Sequence, residues 1–143
     1  MSLQRLDHYS IRTAALEQTR NFYVNVLGLE EGFRPAFDFP GHWLYCGERA
    51  VVHLIGVTAS SKQDLDDFLG DREIAADGSG ALDHVAFRAE DLPALRQRLA
   101  EHQLGCRERT IPALDLHLVF IEDPNGIVVE LNYVAAEADA SGY

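Results

Sequence analysis

Four side chains able to bind a divalent metal stand at matching positions along the chain: His8 with His84, and His53 with Glu130. Imidazole nitrogens and carboxylate oxygens are ordinary ligands for zinc, iron(II), nickel and manganese. Leu6-Asp7-His8 recurs as Leu82-Asp83-His84, 76 residues on. Val51-Val52-His53-Leu54 recurs as Val128-Val129-Glu130-Leu131, 77 residues on. Arg12 and Arg88, Leu16 and Leu92, and the pairs Leu27-Gly28 and Leu104-Gly105 keep the same spacing within one residue. A lone strand histidine is more often a hydrogen-bonded core residue than a ligand. Here both pairs of equivalent slots are filled by metal-binding types, and a core gains nothing from an unpaired carboxylate.

The repeat defines the elements that must position these groups. Each copy opens on a short β-rich stretch, His8–Arg12 or His84–Arg88, and runs into a helix. In the first copy Thr13 is the expected N-cap, with Leu16, Tyr23, Val26 and Leu27 as the apolar stripe. In the second, Asp91 is the expected N-cap, Pro93 sits in the first turn, and Leu92, Leu95 and Leu99 form the stripe. Gly28 and Gly105 stand where a helix end favours a left-handed residue. Three strands should follow in each copy, near 30–37, 42–47 and 50–56, and near 106–110, 115–121 and 127–133. The turns Gly47-Glu48-Arg49 and Asp123-Pro124-Asn125-Gly126 separate the last two strands of each copy.

The predicted fold is therefore α+β: two tandem βαβββ modules forming a cupped mixed sheet, one at about 4–57 and the other at about 81–134. A linker or lid at about 58–80 joins them, with one short helix near Asp64–Leu69, and the tail 135–143 is expected to fray. With strand side chains alternating between faces, His8, His84, His53 and Glu130 can project from equivalent strands toward a common centre.

Composition sets the outer bounds. The chain has 143 residues, 47% hydrophobic and 24% charged, which is one ordinary globular domain's worth. Twelve Lys+Arg against 23 Asp+Glu give a formal net charge of −11, the wrong sign for neutralising nucleic acid phosphates or an anionic membrane. No apolar run approaches the ~20 residues that span a bilayer, and Met1-Ser2-Leu3-Gln4-Arg5 lacks the layout of a signal peptide. A cytoplasmic location is expected, with Cys46 and Cys106 as reduced thiols. The expected partner is a small molecule in a pocket.

Other chemistries find less support. Ser10 and Ser79 have no His–Asp partners at recognisable spacing, and no Gly-rich phosphate loop is present. His117 is expected either beside the site, contacting substrate or a ligand, or as one residue of a strand's surface alternation. His42 and Trp43 precede a strand, where the aromatic can wall a pocket or fill a core, and His102 falls on the polar side of a helix.

These motifs resemble the vicinal oxygen chelate superfamily, which includes glyoxalases, bleomycin-resistance proteins, epimerases, fosfomycin-resistance enzymes and extradiol dioxygenases. Phe22-Tyr23-x-x-Val26-Leu27-Gly28-Leu29 is similar to its first-helix motif. Asp123-Pro124-Asn125-Gly126-Ile127-Val128-Val129-Glu130-Leu131 is similar to its terminal-strand motif. The resemblance covers about residues 4–134.

It implies one divalent metal per site, held by His8, His84 and Glu130, with His53 as a candidate fourth ligand. The metal would serve as Lewis acid for two adjacent oxygens of the substrate. His53 and Glu130 are the implied catalytic groups. A two-His-one-carboxylate set with a nearby histidine leans toward extradiol-type dioxygenation on iron(II). A glyoxalase-type lyase or isomerase on zinc, nickel or manganese is the alternative, and a bleomycin-resistance-like binder the third reading. Two features depart from the dioxygenase pattern: those enzymes usually carry four such units, and Phe120-Ile121 stands where they place a tyrosine. The pocket is expected to draw on Phe37, Phe39, Trp43, Tyr45 and His117, and two-module members imply a homodimer.

Overall fold

The computed structural model describes residues 2–70 and 75–140. It falls into two compact units that divide between Asp77 and Gly78, inside the expected linker.

In the first unit, β1 (Tyr9–Thr13) leads into α1 (Leu16–Asn21), which continues as a wider π-helical turn over Phe22–Val26. Three strands follow: β2 (Glu30–Gly32), β3 (Gly41–Cys46) and β4 (Arg49–Gly56). They form a four-stranded mixed sheet in the order β1-β4-β3-β2, parallel between β1 and β4 and antiparallel elsewhere. The second unit repeats this plan with β5 (His84–Arg88), α3 (Leu92–Glu101), β6 (Arg107–Ile111), β7 (Leu116–Glu122) and β8 (Val128–Val134), in the order β5-β8-β7-β6. Two further helices are α2 (Lys62–Leu69) and α4 (Ala135–Ala140). The βαβββ grammar is present in both units.

Alternation gives each sheet two unlike faces. In the first unit Ile11, Leu44, Val52 and Leu54 turn inward with Phe22, Tyr23 and Val26, and all are buried. In the second, Val119, Ile121, Val129, Leu131 and Tyr133 do the same beside Leu92, Leu95 and Leu99. At about 25 cal/mol per Å², apolar burial of this kind is the main force holding each helix to its sheet. The opposite faces carry Ser10, His53 and Trp43 in one register row, and Ala86, Glu130 and Phe120 in the equivalent row.

Several local expectations are corrected. The strand expected near 30–37 ends at Gly32, because Pro35 has no N–H to donate and Phe37 N folds back onto Pro35 O at 2.9 Å. Thr13 stops short of the helix and caps the turn before it: its Oγ1 accepts from Ala15 N at 2.9 Å. Gly28 takes the left-handed conformation with φ 84°, but in the second unit Gln103 does so instead of Gly105, with φ 56°. Its N–H reaches Ala100 O while Leu104 N reaches Leu99 O, closing α3 with paired terminal bonds.

Asp91 caps α3 as expected, accepting from Ala94 N. The expected short helix begins earlier, at Lys62, behind a reciprocal Thr58–Ser61 capping box. The tail is ordered as α4 as far as residue 140, and Glu137 Oε1 there accepts from Asp91 N and Leu92 N at 2.9 and 3.0 Å. A carboxylate on free N–H groups at a helix start is stabilising, which explains why this part does not fray. Residues 71–74 of the linker or lid and 141–143 of the tail lie outside the described residues. Among the described residues no helix is long and apolar enough to cross a membrane.

Candidate functional site

The open face of the first sheet carries a stack of three rings. His8 stands just before β1, and its ring lies on that of His53 with centroids 3.7 Å apart and planes 12° from parallel. His53 in turn lies on Trp43 at 3.9 Å and 10°. The register makes this stack: His53 pairs with both Ser10 and Trp43, so β1, β4 and β3 bring the rings side by side. His53 Nε2 donates to Ala50 O at 3.0 Å, leaving its Nδ1 lone pair free for another role. Burial, and then the charge of His8, push the His53 pKa below the usual imidazole value.

Around the stack lies a cavity of about 590 Å³, within the usual range for small-molecule sites. Phe37, Phe39, Trp43 and Tyr45, the four aromatic pocket residues expected from sequence, all line it, as do His8 and His53. α2 walls one end. Its Leu65 is buried on Phe39 and Ile55, and its Phe68 packs at 4.9 Å from Phe37 and 5.6 Å from Phe39, centroid to centroid. Phe68 was not foreseen, because only the fold brings the linker helix back over the sheet.

The second unit has no ring stack in the equivalent row. His84 begins β5, and its Nδ1 donates to Asp83 Oδ2 at 2.7 Å. Its Nε2 stands 3.6 Å from Glu130 Oε1, with the Glu130 side chain only 13% exposed. That separation is too long for a hydrogen bond. It is close to the span of about 3–3.5 Å between two ligands that share one ion through bonds of about 2.1 Å. The Asp83 hydrogen bond raises the His84 pKa above the usual imidazole value, and Glu130 adds to the effect.

His8 repeats the arrangement, with Nδ1 donating to Asp7 Oδ2 at 2.7 Å. An ionised carboxylate only accepts, so in both histidines the proton sits on Nδ1 and Nε2 is the nitrogen presented outward. A carboxylate backing an imidazole in this way is the usual support of a metal-bound histidine. The donor set therefore fits a divalent metal. Among the described residues neither unit by itself gathers three or more His, Cys, Asp or Glu around one point. Asp7 and Asp83 lay inside the Leu-Asp-His repeat, and that repetition was the signal for their role.

His117 stands apart from the groups expected beside it. It is on β7, buried on the helix-covered face, with Thr110 Oγ1 2.8 Å from Nδ1 and Glu108 Oε1 2.6 Å from Nε2. Arg96 of α3 also donates to Glu108. His117 thus faces away from the row of Glu130 and does not line the cavity. His42 plays the same part in the first unit: it bonds Glu31 and Glu17, and Arg20 of α1 bonds Glu31.

The sequence matches the Glyoxalase/Bleomycin resistance protein/Dioxygenase superfamily over residues 5–131. The chain belongs to that superfamily. An ethylmalonyl-CoA/methylmalonyl-CoA epimerase of Cereibacter sphaeroides is 31% identical over 140 residues, covering 91% of this chain and 98% of that protein. Glyoxylase I 4 of Arabidopsis thaliana is 22% identical over 134 residues, covering 92% of this chain and 71% of that protein. Among solved structures, a glyoxylase/bleomycin resistance protein/dioxygenase domain from Frankia sp. EAN1pec superposes with a TM-score of 0.68 at 19% identity, covering 93% of this chain and 99% of that one. That likeness establishes the shared fold. Membership confirms the resemblance read from the first-helix and terminal-strand motifs.

Proposed function

We propose that this chain is a divalent-metal-dependent enzyme acting on a small vicinally oxygenated compound. One observation carries the reading: Asp83–His84–Glu130, in which a carboxylate-backed imidazole presents Nε2 3.6 Å from a second carboxylate. The proposed ligands are His84 and Glu130 with His8, and His53 is the group beside His8 that handles protons. When bound, the metal supplies Lewis acidity toward the oxygens of the substrate.

The chain's own residues do the rest. Asp7 and Asp83 hold the His8 and His84 rings in one tautomer and one orientation. Phe37, Phe39 and Trp43 exclude water and offer flat apolar walls. His53, with Nε2 committed to Ala50 O, holds or receives a proton at Nδ1.

Two reactions fit this arrangement. Proton transfer at a carbon beside a carbonyl, as in an isomerase, epimerase or lyase, is favoured by the 31% identity to a protein named as an epimerase. Extradiol-type dioxygenation is favoured by the proposed two-His-one-carboxylate ligands with a histidine stacked on one of them. The test is elemental analysis of the full chain purified anaerobically without chelators, followed by assays with the metal found. Near one iron per protomer, with oxygen uptake on catechols, selects oxygenation. Near one zinc, nickel or manganese, with exchange of a carbon-bound proton into heavy water, selects proton transfer. No metal, and none taken up on reconstitution, overturns the proposal and leaves a small-molecule binding protein.

A further inference from the structure

Arg34 lies in the loop between β2 and β3 and lines the cavity of the first unit. Its guanidinium is held by one hydrogen bond and two aromatic rings. Nη2 donates to Phe39 O at 2.8 Å. The guanidinium carbon sits 5.0 and 5.3 Å from the ring centres of Phe37 and Phe39, within cation–π range. Gly41 gives it room, since a Cβ there would stand 3.0 and 3.1 Å from Nη2 and Nε. Among the described residues the buried Nε has no hydrogen-bond partner and no carboxylate comes within ion-pairing distance of Arg34.

A partly desolvated cation with no counter-ion among the described residues is costly in a folded protein. The cost is out of keeping with a chain of net charge −11, where carboxylates to pair it abound. Arg5 and Arg49 also line the cavity, but both are exposed and keep their water. An anion entering the cavity therefore gains most at Arg34. The guanidinium fork matches two coplanar oxygens. Beside it Phe37 and Phe39 stack within 3° of parallel, with Phe68 packed on both, so the adjoining wall suits a flat apolar body.

We propose that Arg34 anchors the carboxylate of a flat, apolar organic acid bound in this cavity, an inference that rests on the cavity being the substrate pocket. Trp43 is the single tryptophan of the chain and lines the same cavity, so its fluorescence reports occupancy. The experiment titrates the full chain with benzoate and with benzamide, its neutral isostere, in the presence of EDTA so that no bound metal contributes to the binding of either probe.

Benzoate is expected to bind at least tenfold more tightly than benzamide. Arg34→Gln should bring that ratio close to one, and Arg49→Gln should leave it in place. Arg34→Lys keeps the charge and loses the fork; it should lower the ratio at least threefold, and it carries the test if Arg34→Gln does not fold. Equal binding of the two probes, no binding of benzoate, or a ratio that survives in Arg34→Gln overturns the proposal. Inorganic phosphate displacing benzoate at lower concentration than benzoate itself requires would also overturn it, in favour of a phosphate site. Failure of the metal reading shows separately, as no uptake of metal by the full chain with the benzoate preference intact.

Discussion

The two units place the same strands in the same order and fill the same row of three positions differently. In the first the row is Ser10, His53 and Trp43, and with His8 it makes a ring stack at the bottom of an aromatic cavity. In the second it is Ala86, Glu130 and Phe120, and beside it stands a carboxylate-backed histidine facing a second carboxylate. Phe120 is 6.3 Å from His84 and edge-on, with no ring at position 130 to bridge them. The exchange of histidine for glutamate at the centre of the row gives one unit a ring stack and the other a carboxylate beside an imidazole.

The largest expected effect falls on the second unit's carboxylate. Glu130→Ala should lower bound divalent metal at least tenfold, read by elemental analysis, whereas His53→Ala should lower it less; equal losses would erase the assigned difference between the units. Next come the backing carboxylates. Asp83→Asn and Asp7→Asn should each weaken metal affinity by about 10–100-fold, as removal of such hydrogen bonds does elsewhere. Unchanged affinity in both would reduce the Asp-His pairs to surface contacts.

A smaller effect concerns a feature the units share, the Arg–Glu–His groups on their helix-covered faces. The Arg96 hydrogen bond holds the Glu108 pKa below the usual carboxylate range, with His117 assisting against burial. Burial pulls the Glu31 pKa upward, but bonds from Arg20 and His42 outweigh it and the net shift is downward. A carboxylate with a lowered folded-state pKa stabilises the protein above its unfolded value of about 4.3 and loses that contribution as pH falls through the folded value. Glu108→Gln should therefore flatten the loss of stability below about pH 4.5 and cost ~2 kcal/mol at neutral pH. Glu31→Gln should do less, because the Glu31 side chain is 34% exposed against 26% for Glu108. Urea denaturation between pH 3 and 7 measures both, and a steeper acid limb in either variant would contradict the assignment. The smallest effect is optical: His53→Ala should change Trp43 emission by removing its stacked neighbour, while Glu130→Ala should not.

These groups also show why the sequence conceals some correspondences. β3 and β7 keep the same register on β4 and β8, but Glu31 pairs with Leu44 whereas its counterpart Glu108 pairs with Val119, two residues short of Leu44's counterpart Ile121. β6 has thus slid two residues along β7 relative to β2 on β3. A slide of two preserves the faces of a strand, so His42 and His117 meet equivalent Glu and Arg partners while standing 75 residues apart instead of 77. At the repeat spacing His42 aligns with Val119, and the shared role of the two histidines disappears.

What the sequence determined by itself was the repeat, the βαβββ order, the superfamily, the aromatic pocket wall and the positions of His8, His53, His84 and Glu130. All are encoded locally, in the period of apolar residues, the capping residues and the recurrence of short motifs. Only the tertiary structure decided the face on which His117 lies, the return of α2 and Phe68 over the sheet, the capping of α3 by Glu137 and the packing of Arg34 against Phe37 and Phe39. The first three depend on register, or on contact between segments far apart in the chain. Side-chain type sets what a residue can do, and the pairing of strands sets what it meets.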